Sequence, residues 1–96
     1  MMSTIVDRLN AAVHGRVQGV SFRYYTRLEA LALGIHGWVR NEPDGSVLVK
    51  AEGEKEKLEY LLAYLHHGPA AAIVQQVNAE WSTGPSEYRD FEIRWL

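Results

Sequence analysis

Residues 13–25 read VHGRVQGVSFRYY, and in that order they spell the end of a strand, a glycine-bounded loop and the start of a helix. Leu9, Ala11 and Val13 alternate with more polar neighbours, as a half-buried strand requires. Gly15 and Gly19 then bound a loop whose backbone is free to bend, and Ser21 stands where a helix N-cap is wanted. A loop of this kind leaves several N–H groups unpaired at the positive end of a helix dipole, an arrangement that binds anions. Arg23 falls in the first helical turn. Helical side chains lean back toward the N-terminus, so its guanidinium is expected over the loop, where an arginine fork suits a phosphate. The same residues also suit an ordinary strand-to-helix connection beside a solvated arginine. The run has neither the Gly-Lys-Ser/Thr ending of a P-loop nor a dinucleotide fingerprint.

Working outward, residues 1–6 are expected to form a flexible arm, and the helix to run from Phe22 to Leu33 with Gly34 as its left-handed stop. Of two apolar stripes on that helix, the one carrying Phe22, Tyr25, Ala30 and Leu33 is expected to face the core, leaving Tyr24, Leu28 and Leu31 outside. Gly37–Asn41 and Ser46–Glu52 flank Glu42-Pro43-Asp44-Gly45, whose proline and Asp-Gly pair predict a hairpin turn. Val47, Val49 and Ala51 give the second arm an inward face. Glu54–His67 reads as a second helix through Leu58, Leu61, Leu62 and Leu65, closed by Gly68 and Pro69. Ile73–Trp81 is a strand with Ile73, Gln75, Val77, Ala79 and Trp81 on one face; Ser82–Glu87 reads as a turn, and Phe91, Ile93 and Trp95 mark a short last strand. The order βαββαββ begins with the split βαβ pattern of ferredoxin-like α+β sandwiches. Right-handed crossovers then predict an antiparallel sheet in spatial order 4-1-3-2, both helices on one face, with the short C-terminal strand as an addition.

Composition narrows the chemistry. Ninety-six residues are expected to form a single domain, and a net charge of −2 with pI near 6.0 offers no general attraction to nucleic acid or anionic membrane. The chain has no cysteine, which excludes thiolate catalysis and Cys-type zinc sites. Its first residues lack the roughly 7 to 15 residue apolar core of a signal peptide, and no stretch reaches the roughly 18 apolar residues of a membrane span, so a soluble cytoplasmic protein is expected, monomeric by default. His66 and His67 are adjacent and diverge by about 100° on a helix, so they make no metal site. The central strands, Leu9–Val13 and Val47–Ala51, carry none of the aromatics with which RNA-binding domains of this shape stack bases.

Two stretches together, GRVQGVSFR at 15–23 and GWVRNEPDGSV at 37–47, resemble the two signature motifs of the acylphosphatase family, and the likeness runs on through the closing FEIRW. The resemblance implies hydrolysis of the carboxyl–phosphate bond of a small-molecule acyl phosphate, with no metal and no cofactor. It implies that Arg23 holds the phosphate together with the backbone amides of Gly15, Arg16, Val17, Gln18, Gly19 and Val20, and that Asn41 positions the attacking water.

That chemistry accounts for what the sequence lacks. An acyl phosphate is a mixed anhydride whose leaving group is a carboxylate, a weak base that departs without a general acid. Positioning and electrostatic donors then supply most of the catalysis. An amide such as Asn41 is too weak a base to deprotonate water but can orient one. Against this stands a non-catalytic ferredoxin-like module that binds or senses an anion, in which Asn41 serves only turn chemistry beside Pro43.

Overall fold

The structure, a computed structural model, describes residues 4–95; residues 1–3 of the expected arm lie outside it. The elements are β1 (Ile5–Arg16), α1 (Phe22–Ala32), β2 (His36–Asn41), β3 (Val47–Gly53), α2 (Lys55–Leu65), β4 (Ile73–Pro85) and β5 (Phe91–Arg94). They build one five-stranded sheet in the order β4-β1-β3-β2-β5. Its first four strands pair antiparallel and stand in the order derived from the crossover rule. The fifth lies parallel to β2, so the sheet is mixed, and it brings the C-terminal end beside α1. No helix among the described residues is long and apolar enough to cross a membrane.

Register explains the core. Leu9 faces Ala51, Ala11 faces Val49 and Val13 faces Val47 across β1 and β3, while Val39 faces Val49, so the middle of one sheet surface is apolar. Leu58, Leu61 and Leu65 of α2 and Phe22 and Ala30 of α1 close over it, and all of these are buried. The stripe expected on α1 is the buried one, with Thr26 in place of Tyr25. Residue 25 lies about 60° to one side of Phe22, whereas residues 26, 30 and 33 all lie to the other. Tyr25 is therefore exposed, as are Tyr24, Leu28 and Leu31. Gly34 ends the helix at φ 69°, in the left-handed region.

Several strand boundaries differ from the sequence reading. Strand β1 starts at Ile5, so Ile5 and Val6 pair with Pro85 and Gly84 instead of lying in an arm. The same pairing carries β4 on to Pro85, through most of the expected Ser82–Glu87 turn. An edge strand bonded on one side tolerates Ser82, Thr83 and Gly84 without apolar alternation. The face expected on β4 holds for Val77, Ala79 and Trp81, which oppose Val13, Ala11 and Leu9. A bulge at Gln75 then advances the phase by one residue, so Val74 packs on the core and Ile73 is exposed. On the sheet's other surface, Trp38 is 5% exposed beneath the cations of Arg40, Arg94 and Lys50, which lie 4.8, 5.1 and 5.8 Å from its ring centroid.

Candidate active site

Strand β1 hands over to α1 through a loop pinned at both ends. Gly15 has φ 131°, and a Cβ there would stand 2.1 Å from the carbonyl oxygen of Ile73, so only glycine lets β1 run against the bulge. Val17 is 1% exposed and anchors the loop in the core. Gly19 and Ser21 are left-handed, at φ 75° and 62°. Ser21 makes no side-chain cap bond, contrary to the N-cap expectation, because its own backbone is already turned out of the extended conformation a capping side chain needs. Its carbonyl instead accepts from Tyr25 N–H at 3.2 Å. Among the described residues, none of the N–H groups of Gln18, Gly19, Val20 and Ser21 donates to a carbonyl or a side chain. The first-turn amides of α1 lack intrahelical partners by construction. A block of free donors therefore stands at this helix N-terminus.

The hairpin comes to the loop. Gln18 Nε2 donates to the carbonyls of Glu42 and Ser46 at 2.8 and 2.9 Å, tying the loop to the turn that follows Asn41. The turn is itself braced by Asp44, whose Oδ1 accepts from Ser46 Oγ at 2.6 Å and Ser46 N–H at 2.9 Å. The hydroxyl, then the amide, hold the Asp44 carboxyl below the ordinary carboxylate range. Arg40 pairs with Glu42, Nε to Oε2 at 2.8 Å, on the far side of the sheet from the loop.

Where these parts meet lies a cavity of about 400 Å³. The loop and first helical turn contribute Val17, Gly19, Ser21, Phe22, Arg23 and Tyr24, β2 contributes Asn41, and the C-terminal end contributes Ile93 and Trp95. Arg23 and Asn41 thus share one cavity with the middle of the loop. Gln18 and Val20 belong to the loop without lining it, whereas Gly15 and Arg16, expected in the loop, are the last residues of β1 and pair with Val74 and Ile73. Asn41 Oδ1 is buried and has no hydrogen-bond partner. The Arg23 guanidinium stacks on Trp95, with Cζ 4.1 Å from the ring centroid. A larger cleft of 640 Å³ at the opposite end of the sheet, between Asp7, Leu33, Glu52 and Lys57, contains no arginine beside free amides. The smaller cavity is therefore the candidate site.

A model of the acylphosphatase family matches residues 9–93, the whole span that builds this cavity except Trp95. The chain belongs to the acylphosphatase family. It is accordingly a hydrolase. An acylphosphatase of Salinibacter ruber is 46% identical over 87 residues, covering 91% of this chain and 92% of that protein. Among solved structures, an acylphosphatase from Bacillus subtilis superposes with a TM-score of 0.88 at 32% identity, covering 92% of this chain and 98% of that one. One from Coxiella burnetii gives 0.86 at 37%, covering 93% and 94%.

Sequence reasoning on this acylphosphatase-family chain missed the walls contributed by Ile93 and Trp95, and the role of the Gln18 side chain. The alternation of Phe91, Ile93 and Trp95 was visible, but not its parallel partner. That pairing is set by distant contacts: Gly37 N–H donates to Asp90 at 2.8 Å, and Arg27 Nε donates to the Phe91 carbonyl at 2.9 Å.

Proposed function

We propose that this cavity hydrolyses small acyl phosphates to a carboxylate and inorganic phosphate, with Arg23 and the amides of the 15–20 loop holding the phosphoryl group and Asn41 orienting the water. The unpartnered, buried Oδ1 of Asn41 beside Arg23 carries the reading. A buried acceptor without a donor is costly, and a water seated there satisfies it while presenting an oxygen lone pair to phosphorus. The amides and the guanidinium fork meet the charge spread over the phosphoryl oxygens. Water attacks phosphorus, the bond to the carboxylate oxygen breaks, and the water's proton passes to a phosphoryl oxygen. The leaving carboxylate needs no acid, and none of the residues lining the cavity is a carboxylate or a histidine. This donor set offers no anionic oxygen to a divalent cation, so the reaction proceeds without metal or cofactor. As part of the same reading, the protein is a single domain that acts as a cytoplasmic monomer, with neither nucleic acid nor membrane as partner; Trp38, covered by three cations, is not free to stack on a base.

The test is release of phosphate from benzoyl phosphate in the presence of chelator, with a phosphate monoester as control. Arg23→Lys keeps the charge and loses the planar fork, so its rate should fall on the order of 100-fold or more. Wild-type rates in Arg23→Ala or Asn41→Ala would remove the role given to that residue. Thermal protection by phosphate without turnover of any acyl phosphate would establish the non-catalytic anion-binding module instead.

A further inference from the structure

We infer that Gly68, the residue that stops α2, is a positioning residue for the phosphate cradle: it lets the chain leaving α2 press on Phe22 and so sets the first turn of α1, from which Arg23 projects. The role deepens the hydrolytic reading above and rests on it. Gly68 is left-handed at φ 67°, and its N–H donates to the Tyr64 carbonyl at 2.8 Å, as a helix-stopping glycine does. Its second task is spatial. A Cβ at residue 68 would stand 2.4 Å from Phe22 Cε2, 3.0 Å from Phe22 Cδ2 and 3.2 Å from Ala72 Cβ. Ala72 is itself turned back toward this spot, its N–H donating to the Pro69 carbonyl at 2.9 Å. The end of α2 thus lies against the Phe22 ring with no room for a methyl group between them.

Phe22 carries that contact to the site. It is the first residue of α1 and 1% exposed, with the core on one side and the cavity on the other, where Val17, Ser21 and Arg23 stand beside it in the lining. Moving the 2.4 Å approach out to 3.4 Å, where ordinary contact begins, displaces the ring by about 1 Å. A close-packed core has no slack to absorb such a shift. The ring therefore either advances into the cavity or carries the first turn with it, and both disturb Arg23 and the free amides at the helix N-terminus. Asn41 stands on β2, outside that turn, so the cradle and the water site move apart. A misplacement of this size costs on the order of 100-fold in rate. Gly34 supplies the contrast: it stops α1 at φ 69°, yet a Cβ there meets nothing within 4 Å. Substitution strains both glycines alike, and what separates them is the contact with Phe22.

Affinity for inorganic phosphate by isothermal titration, and initial rates with benzoyl phosphate, read the effect in Gly68→Ala, Gly34→Ala, Phe22→Leu and the Gly68→Ala/Phe22→Leu pair, each first shown to be folded by circular dichroism. Gly68→Ala should bind phosphate at least about fivefold more weakly and lose on the order of 100-fold in kcat/KM. Gly34→Ala should stay within about twofold of wild type on both counts. Leucine lacks the Cε2 atom that the methyl group strikes, so in the Phe22→Leu background the same glycine change should cost less than about threefold, a non-additivity that general destabilisation does not produce. A Gly68→Ala loss below about fivefold in either quantity, equal losses in Gly34→Ala, or an undiminished loss in the Phe22→Leu background would overturn the inference. If Gly68→Ala does not fold, the pair decides: values within about threefold of Phe22→Leu sustain the role, and a larger loss overturns it. Phosphate affinities that follow this pattern while no acyl phosphate is hydrolysed would keep the role of Gly68 and remove the hydrolytic reading.

Discussion

Gln18 is the residue through which the phosphate cradle and the water site hold each other in place, and its removal separates structural from catalytic effects. In Gln18→Ala two hydrogen bonds are lost, to the carbonyls of Glu42 and Ser46. Neither carbonyl is left bare, because Glu42 O still accepts from Gly45 N–H at 3.1 Å and Ser46 O from Glu42 N–H at 2.9 Å. The cost is therefore that of two ordinary neutral bonds at about 1 kcal/mol each, or about 2 kcal/mol, well short of the penalty for orphaned groups. Activity should suffer more than that figure implies. The loop amides sit on one side of the tie and Asn41 on the other, and a displacement of about 1 Å between them costs on the order of 100-fold in rate. Gln18→Glu sharpens the test. At pH 7 it points a carboxylate, which only accepts, at two carbonyl oxygens, and should be worse than alanine in both respects. Burial against acceptors raises the pKa of this introduced acid in the folded state, so the damage is present above that value and is relieved as pH falls through it. Urea unfolding followed by tryptophan fluorescence, with initial rates of acyl phosphate hydrolysis, reads both quantities. A Gln18→Ala protein that loses about 2 kcal/mol yet keeps kcat/KM within about twofold would refute the argument, as would a Gln18→Glu protein matching alanine at pH 7.

Gly15→Ala should cost about 4 kcal/mol in urea unfolding, combining left-handed strain with a Cβ 2.1 Å from the Ile73 oxygen, whereas Gly19→Ala, with nothing within 4 Å, should cost only about 1 kcal/mol of backbone strain. Glu52→Ala should lose about 3 kcal/mol, because the buried Glu52 carboxylate accepts from Glu87 N–H at 2.9 Å, Tyr88 N–H at 2.6 Å and Ser86 Oγ at 3.1 Å, and two of those donors are amides left unpaired. Asp44 has its pKa lowered in the fold, so its contribution is fully present above the ordinary carboxylate value and is lost as pH falls through the folded one. The stability gap between wild type and Asp44→Ala, measured at pH 7 and again near pH 2.5, should therefore shrink in acid.

How much of this was legible follows from what each feature depends on. The strand order 4-1-3-2 was readable because alternation on Leu9–Val13 and Val47–Ala51, the helical spacing of Leu58, Leu61 and Leu65, and crossover handedness are properties of short segments and of chirality. The hairpin was readable because Pro43 and Asp44-Gly45 act locally. Illegible features depend on partners far along the chain. The bulge at Gln75 exists because Gly15, 60 residues earlier, lets Ile73 O approach where a side chain would stand. The positive φ of Ser21 follows from fitting the loop between the buried Val17 and Phe22, and no serine announces it. Four residues of β5 carry too little pattern to name β2 as their partner.

The same division governs the site. Arg23 and Asn41 could be singled out as residue types, but their meeting is the work of ties that do not touch the cavity: Gln18 draws the hairpin to the loop, Arg27 and the Gly37 amide hold β5 against its neighbours, and Glu52 fixes the Ser86–Tyr88 segment that leads into it. Each tie is a side chain or an amide bonded mainly to backbone, and backbone positions change little when neighbouring side chains are exchanged. A site whose chemistry needs donors in fixed places, and no titrating acid or base, is suited to that construction. Its performance therefore depends on geometry held from outside the cavity, and the side chain most costly to remove for kcat, after Arg23 and Asn41 themselves, is expected to be Gln18.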